Sequence, residues 1–153
     1  MIMAQEQSIL KAQQQLDQAA QMICQATRDV LPIDQVERDL WQQMLDIGLS
    51  MLNGFVAGQG DGDVGPTLEH EGHALRRLDQ QHKRRYVSVF GELNIVRTVY
   101  ATRKDQKHQV VPLDAMLNLS DSDFGYLLQQ WDQSFCVQDS YASSRQTVQQ
   151  ILG

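Results

Sequence analysis

Hydrophobic and polar positions follow a helical period through the first third of the chain. Leu16, Ala19, Ala20, Ile23, Ala26 and Val30 recur at spacings of three and four, which predicts a helix over 8–29. The opposite positions are largely Gln, which favours helix without adding charge. Pro32 ends the segment, because proline lacks an amide donor and disfavours helix in the residue before it. Asp34, with Glu37 three residues on, reads as an N-cap in a capping-box arrangement. A second helix follows over about 35–57, with Val36, Leu40, Met44, Ile47, Met51 and Phe55 as its main stripe. Trp41, Leu45, Leu49 and Leu52 broaden it. An apolar face this wide asks for more than one partner helix, or for a dimer mate.

The pattern then breaks. Residues 58–66, GQGDGDVGP, hold four glycines and a proline and predict a loop. Asp61-Gly62-Asp63 lacks the acidic spacing and closing Glu of a calcium loop. Residues 67–83 are polar and suggest a short helix or an ordered approach to the next element. His70 and His73 invite a metal reading, but a zincin helix needs histidines four apart. A solvated polar segment is the simpler account, so no metal and no cofactor is expected.

A period of two appears next. Arg85–Phe90 and Leu93–Tyr100 are rich in β-branched and aromatic residues, with Gly91-Glu92 between them. Gly at the first central position suits a type II′ hairpin turn. That register pairs Phe90 with Leu93, Ser88 with Ile95 and Tyr86 with Arg97. A basic loop, Arg103 to His108, follows. Ser120 and Asp123 then mark the start of a third helix carrying Phe124, Leu127, Leu128, Trp131 and Phe135. Asp139 or Ser140 begins a fourth, with Tyr141, Val148, Ile151 and Leu152 facing inward and Gly153 at the C-cap position.

The expected fold is α+β and mainly helical. Its parts are an N-terminal helical hairpin (1–57), a Gly-rich linker and polar segment (58–83), a basic antiparallel β-hairpin and loop (84–119), and a C-terminal helix pair (120–153) resembling an incomplete helix-turn-helix.

Composition narrows the class. A chain of 153 residues with 42% hydrophobic content can bury a core and is not a disordered type. No stretch of 18 apolar residues predicts a membrane span, and no secretory signal opens the chain. Cys24 and Cys136 are single and far apart, which predicts reduced thiols in a cytoplasmic protein. The net charge of −6 is unevenly spread. Residues 76–107 carry nine Lys or Arg against three Asp or Glu, between acidic flanks. A basic island of this size is on the scale of non-specific phosphate binding, although a solvated face balancing the flanks would look the same.

An ordered set of residues runs through this island and beyond it: Arg84-Arg85, Phe90-Gly91-Glu92-Leu93, Ile95, Arg97 and Tyr100, then Pro112-Leu113-Asp114, Leu117 and Leu119, then Tyr141-Ala142 and Leu152-Gly153. Over about 76–153 this resembles the N-terminal region of bacterial insertion-sequence transposases of the ISKra type. The resemblance implies DNA as partner, with the remainder of a transposase or a second copy as further partners. It also implies a downstream ribonuclease-H-like core with an Asp-Asp-Glu metal triad. No acid here matches that triad, so no nuclease activity is expected of this chain. It is expected to be a truncated form or the upstream product of a split frame.

The residues expected to reach phosphate are Arg84, Arg85, Arg103, Lys104 and Lys107, at strand ends and in the loop. Arg97, midway along a packed strand, is better read as structural, with Asp114 a candidate partner. The function expected is a non-catalytic, DNA-engaging part of a transposase. The alternative is a structural or protein-interaction module with no nucleic-acid role. A stand-alone metal enzyme using His70 and His73 is the weakest account.

Overall fold

Two long helices open the chain: α1, Ile2–Asp29, and α2, Ile33–Gln59. The computed structural model describes residues 2–102, 109–138, 146 and 149–151. The seam between the helices is built from small side chains. Ala12, Ala19 and Ala26 of α1 are buried at seven-residue intervals. Ser50 and Gly54 of α2 are buried, and Ser50 Oγ donates to Gln15 Oε1 at 2.7 Å. A Cβ on Gly54 would stand 3.3 Å from the Ser8 Cβ, so the backbones approach closely there. Helix separation follows the size of the side chains at the contact.

The broad stripe expected on α2 divides. Leu45 is buried, and Ile47, Leu49, Leu52 and Val56 are half-buried. Trp41, Met44, Met51 and Phe55 remain exposed. The start of α2 also differs from expectation. Helix begins at Ile33 with Pro32 at the cap position, and no side chain caps it. The Pro32 carbonyl already accepts from the amides of Gln35 and Val36. Asp34 therefore falls inside the first turn, where it pairs with Arg38 at 3.1 Å.

Among the described residues six short strands follow: β1 (Thr67–His70), β2 (His73–Arg77), β3 (His82–Ser88), β4 (Gly91–Arg97), β5 (Tyr100–Ala101) and β6 (Gln109–Val110). One sheet has the order β1-β2-β5-β6, and β3-β4 form a second, two-stranded sheet. The polar segment before the basic hairpin is thus itself a hairpin. Glu71 and Gly72 turn it with φ of 49° and 76°, the left-handed pair that a type I′ turn requires. The α+β, mainly helical class is the one observed.

The basic hairpin forms, with its turn two residues earlier than expected. Ser88 pairs with Gly91, Tyr86 with Leu93 and Arg84 with Ile95. Val89 and Phe90 therefore make the turn. Ser88 Oγ closes it, donating to the Gly91 carbonyl at 2.9 Å and accepting from the Phe90 amide at 3.1 Å. The Phe90 ring lies against Gly48 of α2, where any Cβ would overlap it. The shift moves partners by an even number of residues, so each side chain keeps the face that the alternation assigned. Leu93 and Ile95 face inward onto Leu113, with Leu49, Leu52, Val56, Tyr86, Leu117 and Leu119 around them.

Leu113 and Asp114 belong to a short helix, α3 (Pro112–Met116), which ends on Asn118 with φ of 48°. The third long helix, α4, spans Tyr126–Gln138 and starts later than the Ser120 cap predicted. Residues 123–125 bond instead to the edge of β3. Val87 donates to the Asp123 carbonyl at 2.8 Å, and Gly125 donates to the Val87 carbonyl at 2.9 Å. Of the expected fourth helix, only 146 and 149–151 are among the described residues, and these are helical. Among the described residues, no helix is long and apolar enough to cross a membrane.

The turn between α1 and α2 stores strain. Val30 has φ of 52°, and the amide of Leu31 bonds back to the Ala26 carbonyl at 3.0 Å. This is the helix-ending geometry that favours glycine at the left-handed position. A β-branched residue there costs about 1–2 kcal/mol. Val30 is 85% exposed, so its side chain returns little burial. Val30→Gly should raise the unfolding free energy by about 1 kcal/mol, measured by urea denaturation; a loss of stability would contradict this account.

Candidate nucleic-acid interface

Alternation along β3 decides which basic residues can meet a ligand. Arg84 and Arg85 are neighbours, so their side chains leave opposite faces of the strand. Arg84 shares the inner face with Tyr86, Leu93, Ile95 and Arg97. Its side chain is 12% exposed. Arg84 Nη1 donates to Asp114 Oδ2 at 3.0 Å, and Nη2 donates to the carbonyls of Ser120 and, at 2.9 Å, Ser122. The assignment of Arg84 to phosphate contact is therefore corrected: its donors are turned inward and taken.

Arg97 sits two positions along on the facing strand, and its Nη1 donates to the same Asp114 Oδ2. The expected Arg97–Asp114 pair is present. One carboxylate thus joins both strands of the hairpin to α3. Asp114 Oδ1 and Arg97 Nε are buried without a hydrogen-bond partner. Two guanidiniums on one carboxylate leave an excess of positive charge in a largely desolvated place.

Arg85, on the outer face, keeps half its side-chain surface exposed. Its Nε donates to Glu92 Oε2 at 2.8 Å, and Nη1 lies 3.8 Å from Asp123 Oδ2. It can meet a phosphate only by exchanging these partners. Arg103, Lys104 and Lys107 lie outside the described residues. The residues that bound them are placed: Ala101 pairs with Arg76 on one side and with Gln109 on the other. Arg76 and Lys83 are exposed and hold no ion pair with described residues. Neither was singled out from the sequence, although both stand on the exposed face of an alternating strand.

The Gly-rich loop is ordered by its two acids. Asp61 Oδ1 accepts from the Asp63 amide at 3.1 Å, and Asp63 Oδ1 accepts from the Gly65 amide at 2.9 Å. Such side-chain turns onto the amide two residues ahead are typical of Asp in loops. The Asp61 carbonyl accepts from the Thr98 amide at 2.7 Å, which ties the loop to the step between β4 and β5. Tyr100 is fully buried. Its hydroxyl lies 3.1 Å from Asp63 Oδ1 and 2.8 Å from the Gly65 carbonyl, and accepts from the Val64 amide at 2.9 Å. Arg77 Nη1 donates to Asp63 Oδ2.

These bonds account for Asp61 and Asp63 without calcium. His70 and His73 pair across the β1–β2 turn rather than sharing a helix face, and His73 Nδ1 lies 3.0 Å from the Glu71 carbonyl. Among the described residues no group of three or more His, Cys, Asp or Glu side chains is placed to hold a metal ion. Cys24 and Cys136 are both free thiols.

The Asp114 bridge and the outer-face Arg85 pair should separate cleanly on mutation. Asp114→Asn leaves two arginines without a counter-charge in a site where each is at most about a fifth exposed. It should lower the unfolding free energy by about 3 kcal/mol. Arg85→Gln should change it by less than about 1 kcal/mol, because an exposed pair is screened by water. Urea titrations at neutral pH compare the two, and equal effects would remove the special place given to Asp114.

The Asp63 carboxyl is held below its usual value of 3.8, mainly by the Gly65 amide, with Tyr100 and Arg77 adding to the effect and partial desolvation opposing it. A folded-state value below the unfolded one gives stabilisation that is complete above the unfolded pKa. That stabilisation is lost as pH falls through the depressed value. Asp63→Asn should reduce stability at neutral pH and flatten its decline below about pH 4. Denaturation midpoints across that range test it, and an unchanged acid slope would count against it.

No protein-family model, no curated protein and no solved structure matches this chain.

Proposed function

We propose that the chain is the non-catalytic, DNA-engaging N-terminal part of a bacterial transposase, acting in the cytoplasm. Support comes first from the resemblance over about 76–153. The observation that carries the DNA role is the position of Arg76, exposed and without an ion pair to described residues, beside the ends of the basic segment 103–108. Arg76 faces Ala101, and the segment holding Arg103, Lys104 and Lys107 departs after Thr102 and returns at Gln109, the pairing partner of Ala101. Arg76 therefore lies on the strand next to the one from which that basic segment departs. A phosphate backbone rewards neighbouring positive charges, since each neutralised phosphate releases counterions. Contacts of this kind position a protein on DNA and carry little sequence information. The competing account, a protein-interaction module without nucleic acid, draws on the exposed apolar residues of α2.

Fluorescence anisotropy with duplex DNA at two salt concentrations tests the proposal. Binding should weaken as salt rises. Replacing Arg76, Arg103, Lys104 and Lys107 together with Gln should weaken it further and flatten its salt dependence. Arg85→Gln should add a smaller loss. Absence of binding at low salt, or binding indifferent to the fourfold substitution, would favour the interaction module.

A further inference from the structure

The outward face of the β3–β4 hairpin carries chemistry that the Asp114 bridge and the core leave unused. Alternation puts Lys83, Arg85 and Val87 of β3 on this face, opposite Val96, Asn94 and Glu92 of β4. All of these but Val87 are exposed. The hairpin is a sheet of two strands among the described residues. Residues 123–125 lie against the edge of β3 at Val87, the turn end, so the ribbon is narrow toward Lys83 and Val96. Arg85 is held in place. Its Nε donates to Glu92 Oε2 at 2.8 Å, and Nη1 stands 3.8 Å from Asp123 Oδ2, outside hydrogen-bond reach. Neither terminal nitrogen of Arg85 has a hydrogen bond among the described residues. Asn94 is its direct cross-strand partner, and the Asn94 amide group likewise has no hydrogen bond to a described residue.

We propose that this face enters the major groove of duplex DNA and reads base edges, with Arg85 on a guanine, Asn94 on a neighbouring adenine and Glu92 positioning Arg85. The inference rests on the DNA-engaging reading above and adds sequence preference to it. Shape fits, since paired strands lie about 4.8 Å apart and the major groove, about 12 Å wide, admits a two-stranded ribbon. Hydrogen-bonding groups fit as well. An arginine held through Nε keeps its terminal fork for the O6 and N7 acceptors of guanine, without giving up Glu92. An asparagine amide offers the donor and acceptor that match the N6 and N7 edge of adenine. Lys83 and Val96 stand two residues further along, about 6.8 Å or two base-pair steps away. Charge complementarity is local. Glu92 and Asp123 balance Arg85 at the turn end, and Lys83 at the open end has no ion pair with described residues. The guanine edge in this groove presents acceptors, and Arg85 and Lys83 present only donors. A protein partner suits the face less, because interface cores are rich in aromatics and poor in Lys and Glu. Double-stranded RNA does not admit the ribbon, since its major groove is deep and narrow.

Selection of sites from a randomised duplex library by the full chain, followed by anisotropy on the recovered duplex, tests this. The recovered motif should fix a guanine and an adenine close together. Asn94→Ala should relax the adenine and Arg85→Ala the guanine. Each should weaken binding to the recovered duplex about ten-fold and change binding to a scrambled duplex far less. Both positions are exposed, so circular dichroism should be unchanged. Glu92→Gln should relax the guanine and keep the adenine, an effect that a merely structural role would not produce. Methylation of guanine N7 in the recovered duplex should remove the preference. Salt-sensitive binding without a motif, or a motif untouched by Arg85→Ala and Asn94→Ala, would overturn the base-reading face and leave the DNA role standing. Equal binding of duplex RNA of the same sequence would do the same. Absence of binding to any duplex would overturn both.

Discussion

A hairpin that places two arginines on its buried face needs a counter-charge held there, and Asp114 supplies one to both. The constraint reaches outward from one carboxylate. Arg84 comes from β3, Arg97 from β4 and Asp114 from α3, so a single set of charge-assisted bonds fixes the hairpin against the helix that follows it. Arg84 also binds the carbonyls of Ser120 and Ser122, which draws in the segment leading to α4. Leu113, beside Asp114, is fully buried against Leu93 and Ile95. The polar bridge and the apolar core therefore share one short helix. Neither can be displaced without moving the other.

The same hairpin carries the long helices. Phe90 at its turn lies on Gly48, and Gly91 approaches Leu49. Helix α2 is thus held between α1 on one side and β4 on another. Gly48, Ser50 and Gly54 sit where backbones or rings come close, and Leu49 and Leu52 sit over the sheet. This division explains why its apolar residues run nearly all the way round. One face meets α1, one meets the sheet, and one is left to solvent.

Much of this was legible from periodicity. Helix spacing located α1 and α2, and the β-branched runs located β3 and β4. Arg97 was read as structural because a charge midway along a packed strand has nowhere else to go, and Asp114 is indeed its partner. The same reasoning applied to Arg84 would have succeeded. Arg84 and Arg97 differ by an odd number of residues across the turn, which places them on one face, whereas Arg85 must oppose them. Grouping Arg84 with Arg85 because they are adjacent overlooked alternation. The β1–β2 hairpin was harder to see. Only Leu68 and Leu75 mark its inner side, and its turn, Glu71-Gly72, lies within a run of histidines and acids that draws attention as chemistry. The late start of α4 was not readable locally, because Ser120 and Asp123 make a sound helix-start signal. What overrides it is tertiary: the edge of β3 at Val87 takes the backbone of residues 123–125.

A consequence follows for how the basic island acts. Positive charge counted along the chain overstates what a ligand can meet. Arg77, Arg84, Arg85 and Arg97 each hold a carboxylate of the same molecule. Two of them are also largely buried, where no external anion can compete for them. The residues that carry the transposase-like pattern, among them Phe90, Arg97, Tyr100, Leu113 and Asp114, are likewise taken up by turn, bridge and core. A pattern of that kind identifies a fold unit rather than a binding surface. Exposed strand positions outside the pattern, such as Arg76 and Lys83, hold no ion pair with described residues. Side chains at such exposed positions can vary without disturbing the Asp114 bridge.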